Sequence, residues 1–245
     1  MGEQSEDNWA LGIETSNPSA GPSMGDGHDG ASGVAAARLT AAGALGPVEI
    51  EPLAPTGRHD DDLIPAIDRL TTRLGLHATE LRRVCVSIGP GGFTGLRVAV
   101  TTAKMLCEVT GAEVAAVPSA HVAAHPLTEA DLPALVCLAS KRGTAHVTLF
   151  GASSRPPLEL GIIDDAGFFA ALRDHGIRTV VTDDHLPEGW TVATESLNRR
   201  APAFCAGACL RLGMFFPSVN ALSLVPAYPR EPEAVTRWKS RAVGR

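Results

Sequence analysis

The sequence predicts an α/β protein of two lobes, the second a reduced repeat of the first. Two observations carry that expectation. An apolar strand, Arg83-Val-Cys-Val-Ser-Ile88, runs through the turn Gly89-Pro-Gly-Gly-Phe-Thr-Gly-Leu-Arg97 into a long helix. Three strand candidates also precede the first helix in each half, although no sequence repeat accompanies that echo.

Trp9-Ala-Leu-Gly-Ile13 is a short apolar strand ending in the polar cluster Glu14-Thr-Ser16. Residues 17–33, rich in glycine, proline and serine, form an overlong connection to a second strand, Val34-Ala-Ala-Ala-Arg-Leu39. Val48–Leu53 is a third strand, pushed toward a sheet edge by Pro52. Then the period lengthens. Leu63, Ile67, Leu70 and Leu74 recur at helical spacing, and Asp60-Asp-Asp62 suits a helix N-terminus from about residue 60. After the strand to Ile88, Thr94 is the expected N-cap of a helix from about Gly95 to Val109, closed by Gly111. A strand at 113–117 and a short helix from Ser119 follow. The second half offers strands at 134–139, 145–150, 158–162 and 178–182, with helices at 165–174 and 202–212. The expected organisation is a disordered N-terminus (1–8), an N-terminal lobe (9–126), a C-terminal lobe (127–225) and a basic tail (226–245).

With 245 residues and 44% hydrophobic content, the chain can bury a substantial core. Its net charge of -6 excludes nucleic-acid binding through a broadly basic surface, because phosphate neutralisation supplies most non-specific affinity. Only the tail is locally basic: Arg230, Arg237, Lys239, Arg241 and Arg245 stand against Glu231 and Glu233. Cys85, Cys107, Cys137, Cys205 and Cys209, mostly in apolar runs, suit reduced core thiols in a cytoplasmic protein. The polar, acidic start and the absence of a long apolar run point to a soluble protein with no membrane partner.

Gly89, Pro90, Gly91, Gly92, Phe93, Thr94, Gly95 and Arg97, preceded by Ile13-Glu-Thr-Ser16 and followed by Ala116-Val-Pro-Ser119, resemble the signature of the TsaB (YeaZ) family, a near match to GPGSFTGxR. His59 ahead of Leu63-Ile-Pro-Ala-Ile67, and the closing Pro226-Ala-Tyr-Pro-Arg230, extend the resemblance. It covers roughly residues 9–16 and 56–125. The resemblance implies an actin-like, Hsp70-type ATPase (ASKHA) fold that has become a non-catalytic subunit. Such a subunit dimerises with itself and with the paralogue TsaD, and with the ATPase TsaE the complex transfers threonylcarbamoyl to N6 of adenosine 37 in tRNAs reading ANN codons. ATP and metal then belong to the partners, and tRNA is met indirectly. Two departures stand out: the 17–33 insertion replaces a tight hairpin, and Ala139-Ser-Lys-Arg-Gly-Thr-Ala-His146 keeps only Lys141 and Arg142-Gly143 of an acidic DARxGEVY-like segment.

The glycine turn admits two uses: exposed amides that hold a phosphate or carboxylate, or a backbone bare enough for another segment to pack closely. For the first use Glu14, with Thr15 and Ser16, is the candidate residual nucleotide site, the acidic group holding a hydrated Mg²⁺. An autonomous ATPase or sugar-kinase-like phosphotransferase is the competing reading. No Walker Lys-Ser/Thr follows the glycines, and Ser87, Thr94, Cys85 and Cys107 have no assignable base for peptidase chemistry, so no catalytic residue is assigned. His121 and His125 are weak metal candidates, displaced from the paralogue's HxxxH, which would fall at Ser119 and Ala123. On the helix after the glycine turn, Leu96, Val100, Ala103 and Cys107 form one apolar stripe and Val98, Thr102, Met105 and Val109 another; Arg97, Thr101, Lys104 and Glu108 form a polar strip. One stripe serves the core. With the resemblance, the second stripe and Leu63, Ile67 and Leu70 of the preceding helix become the expected partner interface.

Overall fold

The computed structural model describes residues 8–16, 32–54, 62–152, 155–182 and 186–230. The expected N-terminal tail, most of the 17–33 connection, His59 with Asp60 and Asp61, and the basic tail beyond Arg230 lie outside the described residues.

The first lobe begins with β1 (Trp9–Glu14), β2 (Gly33–Arg38) and β3 (Glu49–Pro52), joined antiparallel. Helix α1 (Leu63–Leu74) leads to β4 (Leu81–Ser87), and α2 (Phe93–Thr110) leads to β5 (Glu113–Val117). Strand β4 pairs parallel with β1, and β5 parallel with β4. After α3 (Ser119–Ala124) the plan recurs: β6 (Ala134–Lys141), β7 (Thr144–Phe150) and β8 (Leu158–Ile163) are antiparallel. Helix α4 (Asp165–His175), β9 (Thr179–Thr182), α5 (Glu188–Ala193) and β10 (Asn198–Arg200) follow, with β9 parallel to both β6 and β10. The strand orders β3-β2-β1-β4-β5 and β8-β7-β6-β9-β10 are the same topology used twice. Duplication is therefore legible in pairing where sequence identity has faded.

The chain then returns to the first lobe. Helix α6 (Ala206–Gly213) covers the face of the first sheet opposite α1 and α2, and β11 (Ser218–Val219) pairs antiparallel with β5 at the sheet edge. Residues 206–219, within the expected C-terminal lobe of 127–225, thus pack on the first lobe's sheet. The helix expected from Pro202 begins only at Ala206, with Cys205 as its N-cap.

Alternation along β1 explains the layers. Trp9, Leu11 and Ile13 face Leu63, Leu70, Ala99 and Ala103 of α1 and α2, while Ala10 faces Cys209 and Leu210 of α6. Between them Gly12 is required: a Cβ there would stand 2.7 Å from the Ala206 carbonyl oxygen and 2.7 Å from Leu210 Cβ. In the second lobe Phe168 of α4 and Trp190 of α5 stack at 4.0 Å over Leu135, Val147 and Val180, and the indole N–H donates to Asp165 at 2.6 Å. The opposite face of that sheet, with Val136, Leu138 and Val181, packs on Ala120, Ala123 and Ala124 of α3, joining the lobes.

Helix α2 starts two residues before its expected start. Gly92, extended at φ -62 and ψ 123, is the N-cap in place of Thr94, and no side chain caps the end. Gly111 closes the helix as expected, in the left-handed conformation at φ 74, its N–H bonded to Cys107 O.

Candidate functional site

The glycine turn is closed by the protein's own backbone. At its start, Gly89 N–H donates to Ser119 Oγ at 3.0 Å, Ser119 N–H donates back to Gly89 O at 2.8 Å, and the Ser87 and Ser119 hydroxyls are 2.7 Å apart. The Gly89–Pro90 peptide is cis. A Cβ on Gly91 would lie 2.1 Å from Ser16 O, and Gly92 N–H donates to that same oxygen at 2.5 Å. Thr15 Oγ donates to Gly95 O at 2.9 Å. From the other side, Ala227 N–H donates to Ile88 O at 2.7 Å, and Gly89, at φ 111, has Ala227 O where a Cβ would reach 2.8 Å. Of the two uses open to the motif, close packing of other segments is the one realised. The Gly92 amide that an anion cradle would need is spent on Ser16.

Glu14, Thr15 and Ser16 do come together, 0%, 5% and 0% exposed, beneath this turn. Glu14 Oε1 accepts the Ser16 N–H at 2.6 Å and Oε2 has no partner. Burial pushes the carboxyl above its ordinary range, with hydrogen bonds from Ser16 and Ser87 pulling the other way. These three residues, the candidate residual nucleotide site, lie buried because the turn folds down onto the end of β1. A second set of contacts forms at the start of α2. Tyr228 stacks on Phe93 with centroids 4.8 Å apart, and the Arg97 guanidinium carbon lies 5.2 Å from the Phe93 centroid. Tyr228 belongs to the Pro226–Arg230 segment, which the resemblance includes as its closing motif but to which it gives no contact.

The expected interface residues divide. Leu63, Leu70 and Thr102 are 1%, 0% and 6% exposed and belong to the core, because the buried arc of α2 runs wider than one stripe and takes in Thr102 beside Ala99 and Ala103. Ile67 and Val98 are half-buried against that core. Met105 and Val109 stand out at 63% and 83% exposure, joined by Ile64 of α1 at 58%, which the Leu63-Ile67-Leu70 spacing passes over.

His121 lines a pocket with His146 and Glu159, but among the described residues no cluster of three His, Cys, Asp or Glu is placed to hold a metal. His121 makes edge contacts with Phe150 and Phe216, and burial lowers its pKa; His125 Nδ1 lies 3.0 Å from Val122 O. All five cysteines are buried and outside any disulfide, with burial pushing Cys85 and Cys107 up to about 11. No helix among the described residues is long and apolar enough to cross a membrane.

Two lobes of one strand order, joined through α3 and each carrying helices on its sheet, define an actin-like, ASKHA-type fold. Solved structures agree. A crystal structure from Pseudomonas aeruginosa, described as an uncharacterized protein with similarity to peptidase YeaZ, superposes with a TM-score of 0.59 at 18% identity, covering 91% of this chain and 100% of that one. YeaZ from the same organism gives 0.59 at 16% identity, covering 90% and 99%. The family TsaD, tRNA N6-adenosine threonylcarbamoyltransferase, matches residues 50–153. No curated protein matches the sequence. The chain is TsaB/YeaZ-like in fold.

Proposed function

We propose that this chain is a non-catalytic TsaB-type subunit of tRNA threonylcarbamoyladenosine biosynthesis. It forms a homodimer alone and exchanges into a heterodimer with TsaD, supporting threonylcarbamoyl transfer to N6 of adenosine 37 in tRNAs reading ANN codons. TsaE joins through the complex; ATP and metal are held by the partner subunits.

The observation that carries this reading is the division of labour around α2. Its N-terminal turn is consumed by Ser16 on one side and Ala227 on the other, with Glu14 sealed below. Farther along, Met105 and Val109 lie open on the same helix, and Ile64 on the helix that packs beside it. Large apolar side chains left exposed on these two helices fit a protein partner better than a small substrate. The test is reconstitution: TsaD, TsaE and the threonylcarbamoyl-adenylate source from the same genome, with unmodified tRNA, assayed with and without this chain. Modification should depend on the chain and survive Glu14→Gln. Turnover of ATP by the chain alone, abolished by Glu14→Ala, would overturn the reading.

A further inference from the structure

Beside the apolar residues of α2 runs a groove of about 270 Å³ between that helix and residues 224–228. Its floor is apolar, with Val100, Leu224, Val225 and Pro226, but its helix wall carries Arg97, Thr101 and Lys104. Spacings of four and then three residues set these on one side of α2. Among the described residues neither cation has a carboxylate partner; the contact of Arg97 is the Phe93 ring. On α1, by contrast, Arg69 is held by Asp62 and Glu51, and Arg73 by Glu51.

The strip lies about a quarter-turn around α2 from Met105, so a partner broad enough to cover both meets the two together. Seven residues of helix separate Arg97 from Lys104 by about 10 Å along the axis, two turns of α-helix. We infer that the groove seats carboxylate side chains of the heterologous partner, spaced about two helical turns apart, beside the apolar contact with Met105 and Val109. A second copy of this chain fits less well. An isologous contact returns the same strip, in which Glu108 is the one acidic member against two cations, so one cation stays unmatched. A different partner can match both.

The inference rests on the TsaD-binding reading and is tested separately from it. Affinity of the full chain for TsaD from the same genome is measured in about 0.1 M and about 1 M NaCl, across which the Debye length falls from about 10 Å to about 3 Å. Lys104→Glu, which leaves the Arg97–Phe93 contact alone, should weaken binding about tenfold at low salt and within about twofold at high salt, as expected for a charge at an interface rim. Arg97→Gln with Lys104→Gln should reduce the salt dependence itself. Glu108→Lys should tighten binding at low salt. Wild-type affinity for Lys104→Glu at low salt overturns the inference while leaving the TsaD reading intact. So does a Lys104→Glu effect confined to self-association, or confined to affinity for tRNA. Failure of the wild type to bind TsaD overturns the function and this inference together.

Discussion

Glu14 is a carboxyl with no exposed surface, one oxygen bonded to Ser16 N–H and the other without a partner. Its folded pKa is raised by desolvation, so the folded state holds a proton that the unfolded chain releases near the ordinary glutamate value. The stability this lends is complete below the unfolded pKa and is lost as pH rises toward the folded one. Glu14→Gln keeps an acceptor for Ser16 and removes the charge. It should therefore raise Tm at pH 8 relative to the native chain and flatten the decline between pH 5 and 8, as thermal unfolding across that range would read. A native chain equal to the variant at pH 8 would mean that burial does not raise the Glu14 pKa. Gly91 gives an independent test of the same turn. A methyl group there would stand 2.1 Å from a backbone oxygen, so Gly91→Ala should cost about 2–4 kcal/mol in chemical denaturation, whereas Gly143→Ala meets no atom and loses only about 1 from its left-handed φ.

Helices α1 and α2 show how much an element's sequence reveals. Their existence, the closing Gly111 and the apolar stripe Leu96, Val100, Ala103 and Cys107 follow from apolar spacing and from glycine's freedom at a left-handed C-cap, while Gly75, which closes α1 in the same way, and the choice of that stripe for the core come from the structure. Periodicity cannot say where the buried arc stops. Thr102 lies within it and Met105 outside, about one turn apart. Asp62 illustrates a second limit. Acidic residues at a helix start suggest capping, yet its side chain binds Ala54 N–H and Arg69 and makes no cap. At this scale the decisive variant is Met105→Glu. With Met105 63% exposed, it should leave Tm within about 1 °C, as surface substitutions do, while weakening self-association and TsaD binding at least tenfold. A large drop in Tm would instead place Met105 in the core.

Across the whole molecule, the segment from Leu224 to Arg230 straps the lobes together. Leu224 is buried in the first core, Ala227 bonds Ile88, Tyr228 stacks on Phe93, and Arg230 donates to Ala139 O and Thr144 of the β6–β7 hairpin in the second sheet. Ala139 holds a left-handed φ of 53 that a non-glycine residue seldom adopts, and the Arg230 guanidinium is what receives its carbonyl. Arg230→Ala should speed amide exchange in residues 139–144 by about tenfold or more, with little change in β1 and β4. The Pro-x-Tyr-x-Arg pattern of this segment was readable from the sequence, but its contacts were not. The pairings of β11 with β5 and of α6 with the first sheet join residues about a hundred or more apart, and α5 and the three-residue β10 are too short for a periodic signal. The strand-turn-helix unit at 81–110 was legible because its contacts are local.

The central claim, that the glycine turn serves architecture and the exposed helices serve a partner, meets its most direct test in size-exclusion chromatography with light scattering. The chain is run alone, then mixed with TsaD from the same genome. The account predicts a homodimer that exchanges into a stable one-to-one heterodimer, with Met105→Glu eluting as a folded monomer in both runs. A monomeric native chain that leaves the TsaD peak unchanged would contradict it.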